Sequence, residues 1–108
     1  MFELSFSKKI DDDIQSVMKY IKNKLHAPLA AETHLKELDK VTVKLKENPY
    51  RRPLVQDKYL ALKGYRSVNV KNFTLFYKIH EESNTVLLHR FMYSQRDWIS
   101  ILSEDDEF

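Results

Sequence analysis

Apolar and polar side chains alternate over the first six residues, with Phe2, Leu4 and Phe6 separated by Glu3 and Ser5. This is the period of a short strand with one buried face. Beyond Ser7, a residue suited to capping a helix, the period lengthens. Ile10, Ile14, Val17, Met18, Ile21 and Leu25 recur every three or four residues, which puts them on one side of a helix of about five turns. Asp11, Asp12 and Asp13 fall at the positive end of its dipole. His26-Ala27-Pro28 interrupts the pattern, because proline has no amide hydrogen for a helix interior yet suits the first turn of a new helix. The second helix aligns Ala31, Leu35, Leu38, Val41 or Thr42, and Leu45, and stops before Asn48-Pro49. The short connection between the two predicts an antiparallel pair.

From Pro49 to Lys63 the periodicity lapses, and Pro49, Arg51, Arg52, Pro53 and Lys58 suggest an extended loop. Strand signals begin at Gly64. Val68 and Val70 lead to a Lys71-Asn72 turn, after which Phe73, Leu75, Tyr77 and Ile79 alternate with Thr74, Phe76, Lys78 and His80. A polar turn at Glu81–Asn84 precedes a third strand over Val86–Tyr93. Ser94-Gln95-Arg96-Asp97 has the spacing of a capping box for a short closing helix with Trp98, Ile99, Ile101 and Leu102. The predicted fold class is α+β, in the order βααβββ with a short C-terminal helix. An N-terminal strand and a helical hairpin pack on an antiparallel sheet.

Composition fits one domain spanning residues 1–108. The chain is 43% hydrophobic and 31% charged, with one glycine and three prolines, so it can support a packed core. It has no cysteine, which rules out disulfides and thiolate metal sites and suits a reducing compartment. No apolar run is long enough for a signal-peptide core or a membrane span, so the cytoplasm is the expected location and no membrane partner is expected.

The net charge of +2 hides an uneven distribution. Residues 49–98 carry nine basic side chains against four acidic ones, and residues 99–108 carry four acidic ones and no basic one. A polyanionic partner becomes plausible. Within the strands, Arg66 keeps the phase of Val68 and Val70, and Arg90 keeps the phase of Val86, Leu88 and Met92. An unpaired charge on a buried face is costly. Each arginine therefore pairs with an acidic partner such as Asp57 or Asp97, reaches out to solvent, or stands at the open end of a concave sheet where a phosphate can take both guanidinium groups. Lys58, Lys63, Tyr65, His89, Tyr93 and Arg96 surround the pair with cations and rings suited to gripping and stacking on nucleic acid. For Tyr65, Tyr93 and His89 the competing reading is a packed, structural side chain. His26, His34, His80 and His89 show no metal-ligand spacing, and a single glycine excludes a glycine-rich phosphate loop. Neither a metal nor another cofactor is expected.

Gly64-Tyr65-Arg66, Val70-Lys71-Asn72-Phe73, Phe76-Tyr77 and the run His89-Arg90-Phe91-Met92-Tyr93-Ser94-Gln95-Arg96-Asp97-Trp98 resemble the C-terminal sheet of RelE/ParE superfamily toxins of bacterial type II toxin–antitoxin systems. Tyr20-Ile21, Ala30-Ala31 and Leu45 before Asn48-Pro49 resemble their N-terminal half, so the resemblance spans almost the whole chain. It implies a cognate antitoxin and a growth-arresting attack on translation or replication. RelE-like members cut messenger RNA within the ribosome, and ParE-like members inhibit DNA gyrase. By position, Arg66, Arg90 and Tyr93 match residues that RelE-like nucleases keep, whereas the paired alanines and the lysine-poor loop at 49–63 look closer to ParE.

Two functions follow as expectations. The first, which the arginine pair favours, is a metal-independent, ribosome-associated mRNA endoribonuclease. Arg66 and Arg90 would hold the phosphate, Tyr93 or His89 would do acid–base work, and Lys58, Lys63, Tyr65 and Arg96 would bind RNA. The alternative is a non-enzymatic gyrase inhibitor that uses the same face to bind protein.

Overall fold

The computed structural model describes residues 1–105. A strand β1 (Glu3–Phe6) leads into helix α1 (Ile10–Lys19), whose last turn widens into a π-helical turn over Tyr20–Lys24. Ser7 Oγ accepts the Ile10 amide at 3.2 Å, the cap expected from its position. The break falls where expected, with His26 in the left-handed region at φ 50°, and Pro28 starts α2 (Pro28–Glu47).

A 3-10 turn at Pro49–Arg51 follows, and then a short helix α3 (Lys58–Leu62) inside the segment expected to be an extended loop. Asp57 caps it, its Oδ2 accepting the Leu60 amide at 3.0 Å, and Leu60 is wholly buried. Five residues are too few to show a helical period, which is why the hydrophobic pattern misses this element. The remaining elements are β2 (Arg66–Val70), β3 (Phe73–His80), β4 (Thr85–Tyr93) and α4 (Trp98–Asp105). Asp97 caps α4, accepting the Ser100 amide and hydroxyl, while Ser94 hydrogen-bonds Thr74 instead of serving as the capping residue.

The four strands form one sheet in the order β1-β4-β3-β2. The meander β2-β3-β4 is antiparallel as expected, and β1 joins it as a parallel edge, pairing Glu3–Phe6 with Thr85–Leu88. One face carries the main core. There Val68, Val70, Leu75, Tyr77, Val86, Leu88 and Phe91 meet Ile10, Ile21, Ala31, Leu38 and Leu45 of the helical hairpin. The other face carries a smaller core of Val55, Leu60, Tyr65, Phe76, Met92 and Leu102, with Trp98 stacked on Phe76 at 5.4 Å between ring centroids.

A β-bulge breaks the alternation of β4. Phe76 pairs with Arg90 but Tyr77 pairs with Leu88, so His89 is an extra residue. Leu88 and Phe91 consequently reach the same core although they are three apart, and Met92 belongs to the opposite one. The phase expected for Arg90, shared with Leu88 and Met92, does not exist in the folded strand.

Candidate functional site

The two arginines singled out by the strand pattern do not form a pair. Arg66 pairs with Tyr77 across β2 and β3, Arg90 pairs with Phe76 across β4 and β3, and β3 lies between them. The sheet order thus keeps the two guanidinium groups from the shared phosphate position that the strand pattern suggests. Their surroundings differ as well. Arg66 donates from Nη1 to the Arg52 carbonyl at 2.5 Å, and its guanidinium lies 5.4 Å from the centre of the Tyr50 ring. Tyr50 in turn donates its hydroxyl to Glu81 at 2.7 Å, a contact that raises its pKa. This loop patch is an exposed mixture of rings and cations.

Arg90 is held by two carboxylates. Its Nε and Nη2 donate to Asp13 at 2.6 and 3.0 Å, and its Nη1 donates to Asp105 at 3.1 and 3.3 Å. The Arg90 side chain is 13% exposed, and those of Asp13 and Asp105 are 13% and 5% exposed. Donation to the Asp13 carboxylate is the main cause of a pKa raised above the ordinary arginine value, so the group is charged at every accessible pH. Asp13 also accepts the Phe91 amide at 3.0 Å. β1 covers β4 only as far as Leu88, after which Ser7 bonds the Leu88 and His89 carbonyls and Asp13 takes the Phe91 amide. Polar groups at the head of α1 thus finish a sheet edge that β1 is too short to reach.

Asp13 follows Ile10 by three residues and precedes Val17 by four, which puts it on the buried stripe of α1 while Asp11 and Asp12 stay exposed. That phase was the available signal for its role. Lys9 and Asp105 gave no comparable signal, because their meeting at 2.9 Å joins residues from opposite ends of the chain.

The other expected site residues divide into packed and exposed groups. Tyr65 is wholly buried and its hydroxyl lies 3.0 Å from His89 Nε2, so it is not a platform for stacking bases. His89 lies between Tyr65 and Asp105, 3.4 Å from the carboxylate. Lys58, Lys63 and Arg96 are exposed, with the Lys63 ammonium 5.4 Å from the centre of the Tyr59 ring. Tyr93 is 44% exposed and packs edge-on against Phe73. Tyr93 and Arg96 line a groove of about 670 Å³ between the end of the helical hairpin and the sheet, together with Tyr20, Leu25, His34 and Phe73. Tyr20 and Leu25, more than half exposed, form its outer lip.

Among the described residues no group of three or more histidine, aspartate or glutamate side chains is placed to hold a metal ion. Nor is any helix of the described residues long and apolar enough to cross a membrane.

The architecture is shared with solved toxins. A chromosomal ParDE system from P. aeruginosa superposes with a TM-score of 0.68 at 12% identity, covering 86% of this chain and 96% of that one. A metal-bound toxin from Helicobacter pylori superposes at 0.62 with 26% identity, covering 90% and 99%. The isolated E. coli RelE toxin superposes at 0.59 with 14% identity, covering 97% of each chain. No curated protein sequence matches significantly. Residues 4–98 match the sequence family described as the ParE toxin of the type II toxin–antitoxin system parDE. The chain belongs to that family of toxins.

Proposed function

We propose that this toxin arrests growth by binding DNA gyrase, without cleaving RNA, and that a cognate antitoxin neutralises it. The observation that carries this reading is the engagement of Arg90 by Asp13 and Asp105, which leaves no edge of its guanidinium turned to an incoming phosphate. An RNA-cleaving site needs the phosphate clamp and the proton-transfer groups to converge on one reacting centre. Here Arg66, Arg90 and Tyr93 are committed to three separate neighbourhoods: the Arg52 carbonyl, the two carboxylates and the Phe73 ring. A protein target asks for less. Exposed aromatic and cationic residues around an apolar groove suit it, and Tyr93, Arg96 and Tyr20 supply them, with Leu25 adding apolar surface at the lip.

Solved complexes such as RelBE2 of Mycobacterium tuberculosis and DinJ-YafQ of E. coli pair toxins of this fold with antitoxins, which supports the same arrangement here. Purified protein added to a gyrase supercoiling reaction is expected to stop supercoiling, and primer extension after induction is expected to find transcripts intact. New transcript ends with supercoiling unaffected would overturn the proposal in favour of the nuclease.

A further inference from the structure

A cleft of about 80 Å³ opens between the end of α2 and β2. Val41, Leu45 and Val68 give it an apolar floor, and Lys44, Arg51 and Arg52 stand exposed around it. Among the described residues no aspartate or glutamate lies within ion-pair distance of these three cations. Gathering like charges in one place is unfavourable for the fold by itself. The backbone beneath them is nonetheless fixed. Asn48 Oδ1 accepts the Tyr50 amide at 3.2 Å, the Pro49 carbonyl accepts the Tyr77 hydroxyl at 2.7 Å, and the Arg52 carbonyl accepts from Arg66. Both arginines therefore start from set positions, which lowers the freedom they lose on binding a partner.

The cleft fits one small acidic group, since a water molecule alone takes up roughly 30 Å³. An aspartate or glutamate side chain meets it with methylenes on the floor and oxygens among the guanidinium donors. A phosphodiester would set oxygens against the apolar floor, where they lose water and gain no partner. Position in the fold indicates whose carboxylate it is. Ala30 and His34 at the groove, and Val41, Leu45 and Asn48 at the cleft, recur at spacings of three, four or seven residues. Both sites therefore open on the same side of α2, about 20 Å apart at about 1.5 Å per residue. Glu37 between them is already paired with Lys40 at 3.3 Å. A stable protein complex covers about 800 Å² on each partner, more than a groove for a few side chains supplies. A partner seated on the groove must extend over neighbouring surface, and along α2 that surface leads to the cleft.

We infer that Lys44, Arg51 and Arg52 form a binding site for a carboxylate on an acidic segment of the same protein target that the groove receives. The partner's identity rests on the gyrase reading, and the chemistry rests on the cleft alone. Nitrogen-15 NMR titration of the full-length protein tests the chemistry, with acetyl-Glu-Leu-Glu-amide, acetyl-Gln-Leu-Gln-amide and hexathymidylate as probes. The glutamate peptide is expected to shift Lys44, Arg51, Arg52 and Val68 and to bind about tenfold more tightly than the glutamine peptide. A supercoiling reaction tests the partner. The double variant Arg51→Glu, Arg52→Glu is expected to require about tenfold more protein than the wild type for the same inhibition, a gap that narrows as salt is raised. Equal melting temperatures check its folding, and Lys44→Gln, which keeps both arginines, is expected to show the same loss in smaller degree.

Equal binding of the two peptides, preferential binding of the oligonucleotide at these residues, or full inhibition by the double variant would overturn the inference. So would a loss of antitoxin affinity with inhibition intact. Wild-type protein that leaves supercoiling untouched removes the gyrase reading instead, and glutamate peptide bound at Lys44, Arg51 and Arg52 still supports the carboxylate site.

Discussion

The sheet face beneath α1 and α2 is sealed by a continuous apolar layer that includes Ile10, Leu38, Leu75 and Phe91, whereas the face beneath α3 and α4 has a small core rimmed by ions. On the first face the buried Tyr77 hydroxyl that interrupts the layer is matched by the Pro49 carbonyl at 2.7 Å. On the second, α4 is fixed both by Leu102 and by the charges around Asp105. The two arginines follow the same division. Arg66 rests on a carbonyl and an aromatic ring at the loop surface, and Arg90 ties α1 and α4 to β4. The same residue type in two strands thus serves two purposes, and its neighbours decide which.

The largest expected effect separates these arginines. Arg90→Ala would leave Asp13 charged, poorly solvated and without its cationic partner, and Asp105 with Lys9 but without its arginine, at a cost of about 3 kcal/mol. For a chain of this size that lowers Tm by about 15 °C, measurable by differential scanning calorimetry. A fold as stable as the wild type would show that Arg90 is held loosely. Next in size, Tyr77→Phe is expected to cost about 1 kcal/mol by stranding the buried Pro49 carbonyl, read as a shifted urea midpoint with an unchanged slope. Burial pushes the Tyr77 hydroxyl up to about 12, so the neutral form is the one the fold accepts.

A pH titration sharpens the contrast between the two faces. Burial alone would raise the Asp105 carboxyl, but hydrogen bonds from Lys9 and Arg90 outweigh it and hold its pKa below the ordinary carboxylate value. A lowered folded pKa means that the contribution is fully present above the unfolded value near roughly 4 and is lost as pH falls through the folded value. Acid should therefore loosen α4 before the helical hairpin, seen as Trp98 fluorescence changing ahead of far-ultraviolet dichroism. Simultaneous loss would contradict separate anchoring. The smallest effect belongs to Arg66→Ala, whose partly exposed contacts are expected to be worth under about 1 kcal/mol. That variant should stay folded, and growth arrest in the cell then reports on Arg66 as a contact residue alone.

Much of the fold could be read from the chain because local periodicity carries it. The strand at the N-terminus with Phe2 and Leu4 on the core, the stripe Ile10–Ile21, the break at Pro28 and the Lys71-Asn72 turn appear in the structure where the pattern puts them, whereas Phe6, expected on the same buried face, is 55% exposed at the end of β1. The parallel pairing of β1 with β4 could not be read that way, since it depends on where the hairpin returns the chain. The site was less legible for one reason in particular. A single extra residue at His89 inverts the facing of everything after it, so Arg90 does not share the phase of Val86 and Leu88 that strict alternation gives it. Its true partners lie 77 and 15 residues away, at Asp13 and Asp105. Tyr65 and His89 illustrate the converse case: a ring and an imidazole that look suited to nucleic acid are occupied with each other inside the fold.

The account rests on Arg90 being a structural tie and not a waiting phosphate clamp. A double-mutant cycle on thermal stability with Asp13→Ala, Arg90→Ala and the double variant measures this directly. A coupling of about 2 kcal/mol or more between the two positions is predicted. Additive effects, with a coupling near zero, would show that the pair contributes nothing to the fold and would return Arg90 to the candidates for phosphate chemistry.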